Sequence, residues 1–429
     1  MTHNHKKLAS AFTLPIIALA ALALASIQPA KAQTLTPLHD FVQYPTGDGL
    51  APQAGLVRDA YGNLYGTTFY GGAHGFTSAG YYSYGPGTVF KVTPSGTENL
   101  VYSFGAMVNA SGGGYADGAF PASDLVIDRE GNLYGTTEMG GSNNMGTVFK
   151  ITKSGVETVL HNFACTDGAF PIGGLVMEGK DLYGTASEGG ANATCATTVT
   201  GNGVLFKLSL GRSVSYSVLH NFIGSPYDVS YPTGTLLLDQ GNLYGIAEGG
   251  KNGSGSIFRF TTGKKPTLTL LYNFYSGVAV GSGRLLQDSH GNLYGTTIGE
   301  VSANEGTVFK LQPDGQFITL HTFMYTNYDG YYPTGGLVMD KAGNLFGTTF
   351  NGGLDQFGTL FEITRDGKES VLYNFGDDNF GNALWPGQHP NGDLIMDGKG
   401  NIYGTCQGYV PKIPEVGDWG TVFKFGPNL

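Results

Sequence analysis

One phrase, Gly-Asn-Leu-Tyr-Gly-Thr-Thr, recurs seven times along the chain, and that recurrence constrains the fold more than any other feature. It stands at Gly62–Thr68 and Gly131–Thr137, thins to Asp181–Thr185 and Gly241–Gly245, and returns at Gly291–Thr297, Gly343–Thr349 and Gly400–Thr405. Each copy is answered by a Gly-Thr-Val-Phe type phrase, at Gly87–Phe90, Gly146–Phe149, Gly203–Phe206, Gly255–Phe258, Gly306–Phe309, Gly358–Phe361 and Gly420–Phe423. Self-similarity at about 50 to 70 residues marks a repeat architecture, in which each unit buries its apolar face only by stacking on its neighbours.

Two further runs accompany each pair. One is Gly55–Asp59, echoed at Asp124–Asp128 and onward to Asp393–Asp397; the other is Leu100–Phe104, echoed from Val159–Phe163 to Val371–Phe375. Each unit thus holds four short β-rich runs (A, B, C and D in chain order) separated by Gly, Asp, Asn and Pro, the pattern of one four-stranded blade. The chain stops on a C run, Thr421–Phe425, without a seventh D, and a D run stands alone at Leu35–Phe41. The expectation is an all-β, seven-bladed β-propeller in which the N-terminal strand completes the last blade. Such closure removes exposed sheet edges. A parallel β-helix has shorter coils and no need for complementary ends.

Residues 1–32 read as a cleaved secretory signal peptide and 33–429 as a single propeller domain. Lys6 and Lys7 precede an apolar stretch from Leu8 to Ile27, and Ala30-Lys31-Ala32 forms a small-x-small cleavage site before Gln33. Pro15 and that site argue against a membrane anchor, and no later run is long and apolar enough to span a bilayer. The signal holds three lysines and no acids, so its removal takes the formal charge from −10 to −13. That balance disfavours nucleic acid and anionic lipid as partners. The expected location is secreted, periplasmic or cell-surface, and the expected state a monomer. Glycine is abundant (70 residues), but 12% aromatic content provides ample core.

Most repeated residues have structural duties. Asn63 and its equivalents suit a tight A–B turn, and Leu64, Tyr65, Val89 and Phe90 suit packing. His39, His161, His220 and His321 share a D position with Tyr102, Tyr272 and Tyr373, which points to a polar-tipped packing residue. The phrases Gly-Leu-Val-x-Asp, Gly-Asn-Leu-Tyr-Gly-Thr-Thr and Gly-Thr-Val-Phe-Lys resemble the GloVer-type tandem repeats of exported bacterial proteins, over nearly the whole chain after the signal. The resemblance implies fold and export but no chemistry. Family members carry varied C-terminal anchors, whereas this chain ends at Leu429 just after its last strand.

Function is sought where the repeat fails. In a propeller the D–A and B–C connections share one face, and here they are the long, variable ones, the place where function concentrates on a rigid scaffold. The recurrent Asp-Gly-x-x-Pro of the D–A links (Asp48–Pro52, Asp117–Pro121, Asp167–Pro171, Asp329–Pro333, with looser copies Asp228–Pro232 and Asn382–Pro386) reads as an Asx-type turn. Calcium would need more ligands than one Asp per blade, so no metal or other cofactor is assigned. Just before the A-strand Leu, where Gly or Thr is usual, stand Asp124, Arg284 and Asp393, expected near the channel mouth as ligand-binding residues. Glu138, Glu188, Glu248 and Glu300 end B strands as candidate acid–base groups or as an acidic rim. Tyr81, Tyr82, Tyr84, Tyr409 and Trp419 are read as an aromatic platform across blades 1 and 7. Trp385 is assigned to the slot of Phe120, Phe170, Tyr231 and Tyr332, and His74 and His389 lie outside repeat slots as candidate acids or bases.

Cys165 and Cys195 fall on the same face of blade 3 and are expected to pair, leaving Cys406 as a buried, unbridged thiol; the three-cysteine spacing fits no zinc site. Two functions of different class fit these residues. One is a scaffold binding a carbohydrate or other surface polymer; the other is a polysaccharide lyase or glycoside hydrolase working through the mouth carboxylates. The enzyme question stays open at this level, because propellers host both.

Overall fold

The computed structural model describes residues 33–41, 47–74, 77–78, 81–82, 85–107, 114–195, 199–251, 254–275, 278–300, 305–325, 329–376, 387–408 and 419–427. Its strands form seven four-stranded antiparallel blades in A–B–C–D order, with one added strand in blades 4 and 5. Blade 1 is representative: A is Val57–Arg58, B is Leu64–Thr68, C is Thr88–Val92 and D is Glu98–Ser103. In blade 7, Ile395–Met396, Ile402–Cys406 and Thr421–Pro427 receive Gln33–Asp40 as their outermost strand, in register from Gln33 against Pro427 to Asp40 against Thr421. The chain is therefore a seven-bladed β-propeller closed by its N-terminal strand. Among the described residues no helix is long and apolar enough to cross a membrane.

The repeated phrases now have physical explanations. The glycine of Leu-Tyr-Gly-Thr sits where the C-strand phenylalanine of the same blade lies flat: a Cβ on Gly184 would stand 2.6 Å from the Phe206 ring and 2.8 Å from Leu175. Blades are zipped by a second phenylalanine. Phe104 of blade 1 meets Phe149 of blade 2 edge-on at 5.2 Å, Phe163 meets Phe206 at 5.4 Å, and Phe41 closes the circle on Phe90 at 5.1 Å. Such edge-to-face pairs add about 0.5–1.5 kcal/mol beyond area burial. These rings are buried, so the core is a set of inter-blade layers.

The A–B turns are clasped by the aspartate that ends each Leu-Val-x-Asp. Asp59 accepts hydrogen bonds from the Tyr61 and Asn63 N–H groups, from Asn63 Nδ2 and from the Tyr65 hydroxyl. Burial alone would raise its pKa, but these donors hold the carboxyl below its usual range. Asp128, Asp288 and Asp397 repeat the arrangement. The phrase Asp…Asn-Leu-Tyr is thus one hydrogen-bonded unit.

Candidate functional site

Each D–A link delivers three residues to the channel. In six blades they follow a proline whose ring abuts the glycine of the preceding blade's C phrase, as Pro121 does at Gly87 and Pro390 at Gly358. Blade 5 lacks the proline and uses Ser282, Gly283 and Arg284. The middle residue is small because neighbouring links approach backbone to backbone; a Cβ on Gly335 would stand 2.6 Å from the Gly392 carbonyl. The first and third residues project as two tiers. The upper tier contains Gln53, Ala122, Ile172, Thr233, Ser282, Thr334 and Asn391. The lower tier is Gly55, Asp124, Gly174, Thr235, Arg284, Gly336 and Asp393.

The lower tier is a hydrogen-bonded neck. Asp124 accepts the Gly55 N–H at 2.6 Å and the Thr235 hydroxyl at 3.4 Å, and Thr235 accepts the Gly174 N–H at 3.1 Å. Across the ring, Asp393 accepts the Gly336 N–H at 2.6 Å and the Arg284 N–H at 3.1 Å. The two carboxyl groups lie close enough to interact directly, which favours a proton on Asp124. Burial in the neck, and then the charge of Asp393, push Asp124 up to about 8, against the opposing pull of Arg284.

Asp124, Thr235 and Asp393 line two cavities at once and so divide the channel. Above them, on the long-loop face, is a 280 Å³ cavity walled by the upper tier with Ser123, Phe69 and Glu138. Below is a 630 Å³ cavity lined by Arg284 and by A-strand side chains such as Val57, Ile127, Met177, Leu238 and Met396. The upper wall is hydroxyl- and amide-rich; the lower is largely apolar. Asp124 and Asp393 thus face both cavities, while Arg284 belongs to the lower one.

The other expected site residues separate. Glu138 lines the upper cavity half-buried, and its burial raises its carboxyl above the ordinary range. Glu188 is also raised by burial, and its backbone bridges Ala169. Glu248 is exposed in blade 4. Glu300 ends the B strand of blade 5 opposite Val278, and its side chain lies outside the described residues. His74 is an exposed turn residue.

Two assignments need correction. His389, not Trp385, fills the slot of Phe120, Phe170, Tyr231 and Tyr332: all five have positive φ, and each precedes the proline that docks on the previous blade. His389 stacks on Phe350 at 4.6 Å and has Nδ1 3.0 Å from the Phe350 carbonyl, and burial lowers its pKa. It is a packing residue, and Trp385 lies outside the described residues. Trp419 is likewise no part of a surface platform: it is 5% exposed, and it packs with Phe41, Leu50 and Phe90 where blades 7 and 1 meet. Tyr81 and Tyr82 pair with Thr77–Ser78 in a short ribbon, their side chains outside the described part, as are Tyr84 and Tyr409.

The Asp-Gly-x-x-Pro aspartates form turns. Asp48, Asp228 and Asp329 each accept the N–H of the next residue, and the D-strand His or Tyr reaches the carboxylate: Tyr102 donates to Asp117 at 2.9 Å, and His220 Nε2 lies 2.6 Å from Asp228. His and Tyr alternate in that slot because either can present a donor there. Cys165 and Cys195 are disulfide-bonded, and Cys406 is buried outside any disulfide. The upper tier was not singled out from the sequence. Its signal is the first residue after each link proline.

Residues 24–197 and 193–412 match the Gloeobacter/Verrucomicrobia repeat. No curated protein matches the chain. Among solved structures, the chain is similar to TolB from Acinetobacter baumannii, at 16% identity over 66% of this chain and 58% of that one, with a TM-score of 0.37. It is also similar to puromycin hydrolase, at 14% identity over 83% of this chain and 50% of that one, with a TM-score of 0.47. The chain thus spans less than two thirds of either.

Proposed function

Because the chain belongs to the Gloeobacter/Verrucomicrobia repeat family, whose shared residues build the ring, we propose that its function lies in the residues that depart from the repeat, and that it is an exported scaffold binding a carbohydrate or other extracellular polymer on its long-loop face. The observation that carries this reading is the wall of the upper cavity. Gln53, Ser123, Thr233, Ser282, Thr334 and Asn391 surround a space floored by Asp124 and Asp393. The Thr233 and Thr334 hydroxyls find no partner among the described residues. Buried hydroxyls and amides need partners, and a polyhydroxylated ligand supplies them. At 280 Å³ the space is near the lower end, about 300 Å³, of small-molecule sites, which suits one sugar residue or a chain end. The secretory-type N-terminal segment supports a secreted, periplasmic or surface location.

The geometry favours binding over glycoside hydrolysis. Hydrolases flank the scissile bond with carboxyls about 5 Å or more apart, whereas Asp124 and Asp393 sit close enough to act directly on each other, both serving as acceptors to the neck backbone. A lyase or hydrolase would have to use Glu138 instead. Incubation with neutral and acidic polysaccharides, scored for retention and for new reducing or unsaturated ends, separates the two. Retention lost in Asn391→Ala without products supports the scaffold. Product formation abolished by Glu138→Gln replaces it with an enzyme, and no retention of any polymer refutes both.

A further inference from the structure

A second set of polar residues lies away from the channel, where the D strands of neighbouring blades meet. At each junction the D-strand His or Tyr faces a residue near the start of the next D strand. His161 stacks on Tyr216 at 3.6 Å, and Tyr272 stacks on Phe317 at 4.3 Å. At three junctions the facing residue is a glutamate, and at two of these it meets a histidine: Glu98 joins His39 and Asp48, and Glu369 joins His321 and Asp329. In each trio one imidazole nitrogen and one oxygen from either carboxylate lie within 4.8 Å of one another.

These glutamates are not demanded by the fold, since rings occupy the same position elsewhere. They are also badly served by the protein. Among the described residues Glu98 Oε1 and Glu369 Oε1 are shut from solvent without a hydrogen-bond partner, and His39 Nε2 faces Asp48 at a long 3.4 Å. Two half-buried carboxylates side by side repel unless a proton or a cation lies between them. Burial and the adjoining aspartates accordingly raise Glu98 and Glu369.

We propose that His39–Asp48–Glu98 and His321–Asp329–Glu369 are two divalent transition-metal sites, each joining neighbouring blades. One imidazole with two carboxylates suits zinc, whose bonds to nitrogen and oxygen are about 2.0–2.2 Å; calcium and magnesium prefer all-oxygen shells. The donors, within 4.8 Å of one another, are close enough to converge on one ion if the side chains draw inward. The ion takes the place of the proton, leaving His Nε2 unprotonated as a ligand. The first site spans the ring closure, because His39 comes from the N-terminal strand and Glu98 from blade 1. A third junction, Tyr102–Asp117–Glu157, has the carboxylates without an imidazole and serves as an internal control.

The untagged chain, stripped with a chelator and dialysed against zinc, is expected to retain two ions more than the E98Q/E369Q double variant. Each single variant should lose one ion, E157Q none, and zinc should raise the thermal midpoint of the native chain only. His39→Asn and His321→Asn provide the same reading should a glutamine variant fail to fold by circular dichroism. Equal zinc content in native and double-variant protein, loss at one junction only, or no uptake by the native chain overturns the proposal.

Discussion

Replacing Asp124 by Asn tests the neck of the channel directly. In the folded protein, burial and then Asp393 hold the Asp124 proton on up to about 8, whereas an unfolded aspartate loses it near about 3.9. Between those values the native state carries a proton that the unfolded chain has shed, so stability falls as pH rises. The limit for one proton is about 1.4 kcal/mol per pH unit. From pH 5 to 8 this amounts to at most about 4 kcal/mol. Asparagine keeps the shape: Oδ1 can accept the Gly55 N–H, and Nδ2 can donate to Asp393 whatever the pH. The variant should therefore match the native protein near pH 5 and exceed it increasingly toward pH 8. For a chain of this size each kcal/mol moves the midpoint by about 1–2 °C, scaled from smaller domains, so the gap should approach about 4–8 °C. Glu157 is also raised to about 8, by burial and then Asp117, but it is common to both proteins and cancels in the difference. The assay is thermal unfolding of both at four pH values and constant ionic strength. Parallel profiles, or a variant less stable at pH 8, would show that folding does not hold the proton on Asp124.

Other outcomes follow from the packing. Gly184→Ala should cost about 1–3 kcal/mol by overpacking against Phe206 and Leu175, and Phe206→Leu in the same chain should recover part of it; additive losses in chemical denaturation would refute the fit. Cys165→Ser opens a loop with ends 30 residues apart and should lower stability by about 3–4 kcal/mol, seen as a fall in midpoint that reductant reproduces in the native protein. Deleting residues 33–40 exposes the edge of Thr421–Pro427. It should cause self-association measurable by light scattering, suppressed by a peptide of the deleted sequence.

The ring, its blade count and its closure were legible because seven copies state the same pattern and the two ends complete one unit. The neck was legible for a related reason: Asp124, Arg284 and Asp393 interrupt a position otherwise held by small residues, and a break in a symmetric ring faces its axis. His389 and Trp419 were misassigned because their repeat slots hold unlike residues from blade to blade. The link into blade 7 offers both Trp385-Pro386 and His389-Pro390, and only packing against Gly358 shows which proline belongs to the repeat. Trp419 directly precedes a C phrase, at a place where Met145 and Phe357 also pack inward, and its size suggested a surface platform although its ring is buried where blades 7 and 1 meet. Sequence spacing carried no sign that Glu98 would meet His39, since they lie on different blades.

The pairing of Gln33 with Pro427 also fixes an order of events. The first strand to leave the ribosome is the last to find its neighbour, because nearly the entire chain separates the two. Six blades can assemble from contacts within and between adjacent units, but the seventh waits with an unpaired ladder and an uncovered Phe41. Contacts so distant in sequence form slowly, and open edges in the interval invite association. The rate at which this protein matures should therefore be set by one late event, the meeting of its two ends, whatever the stability of the finished ring.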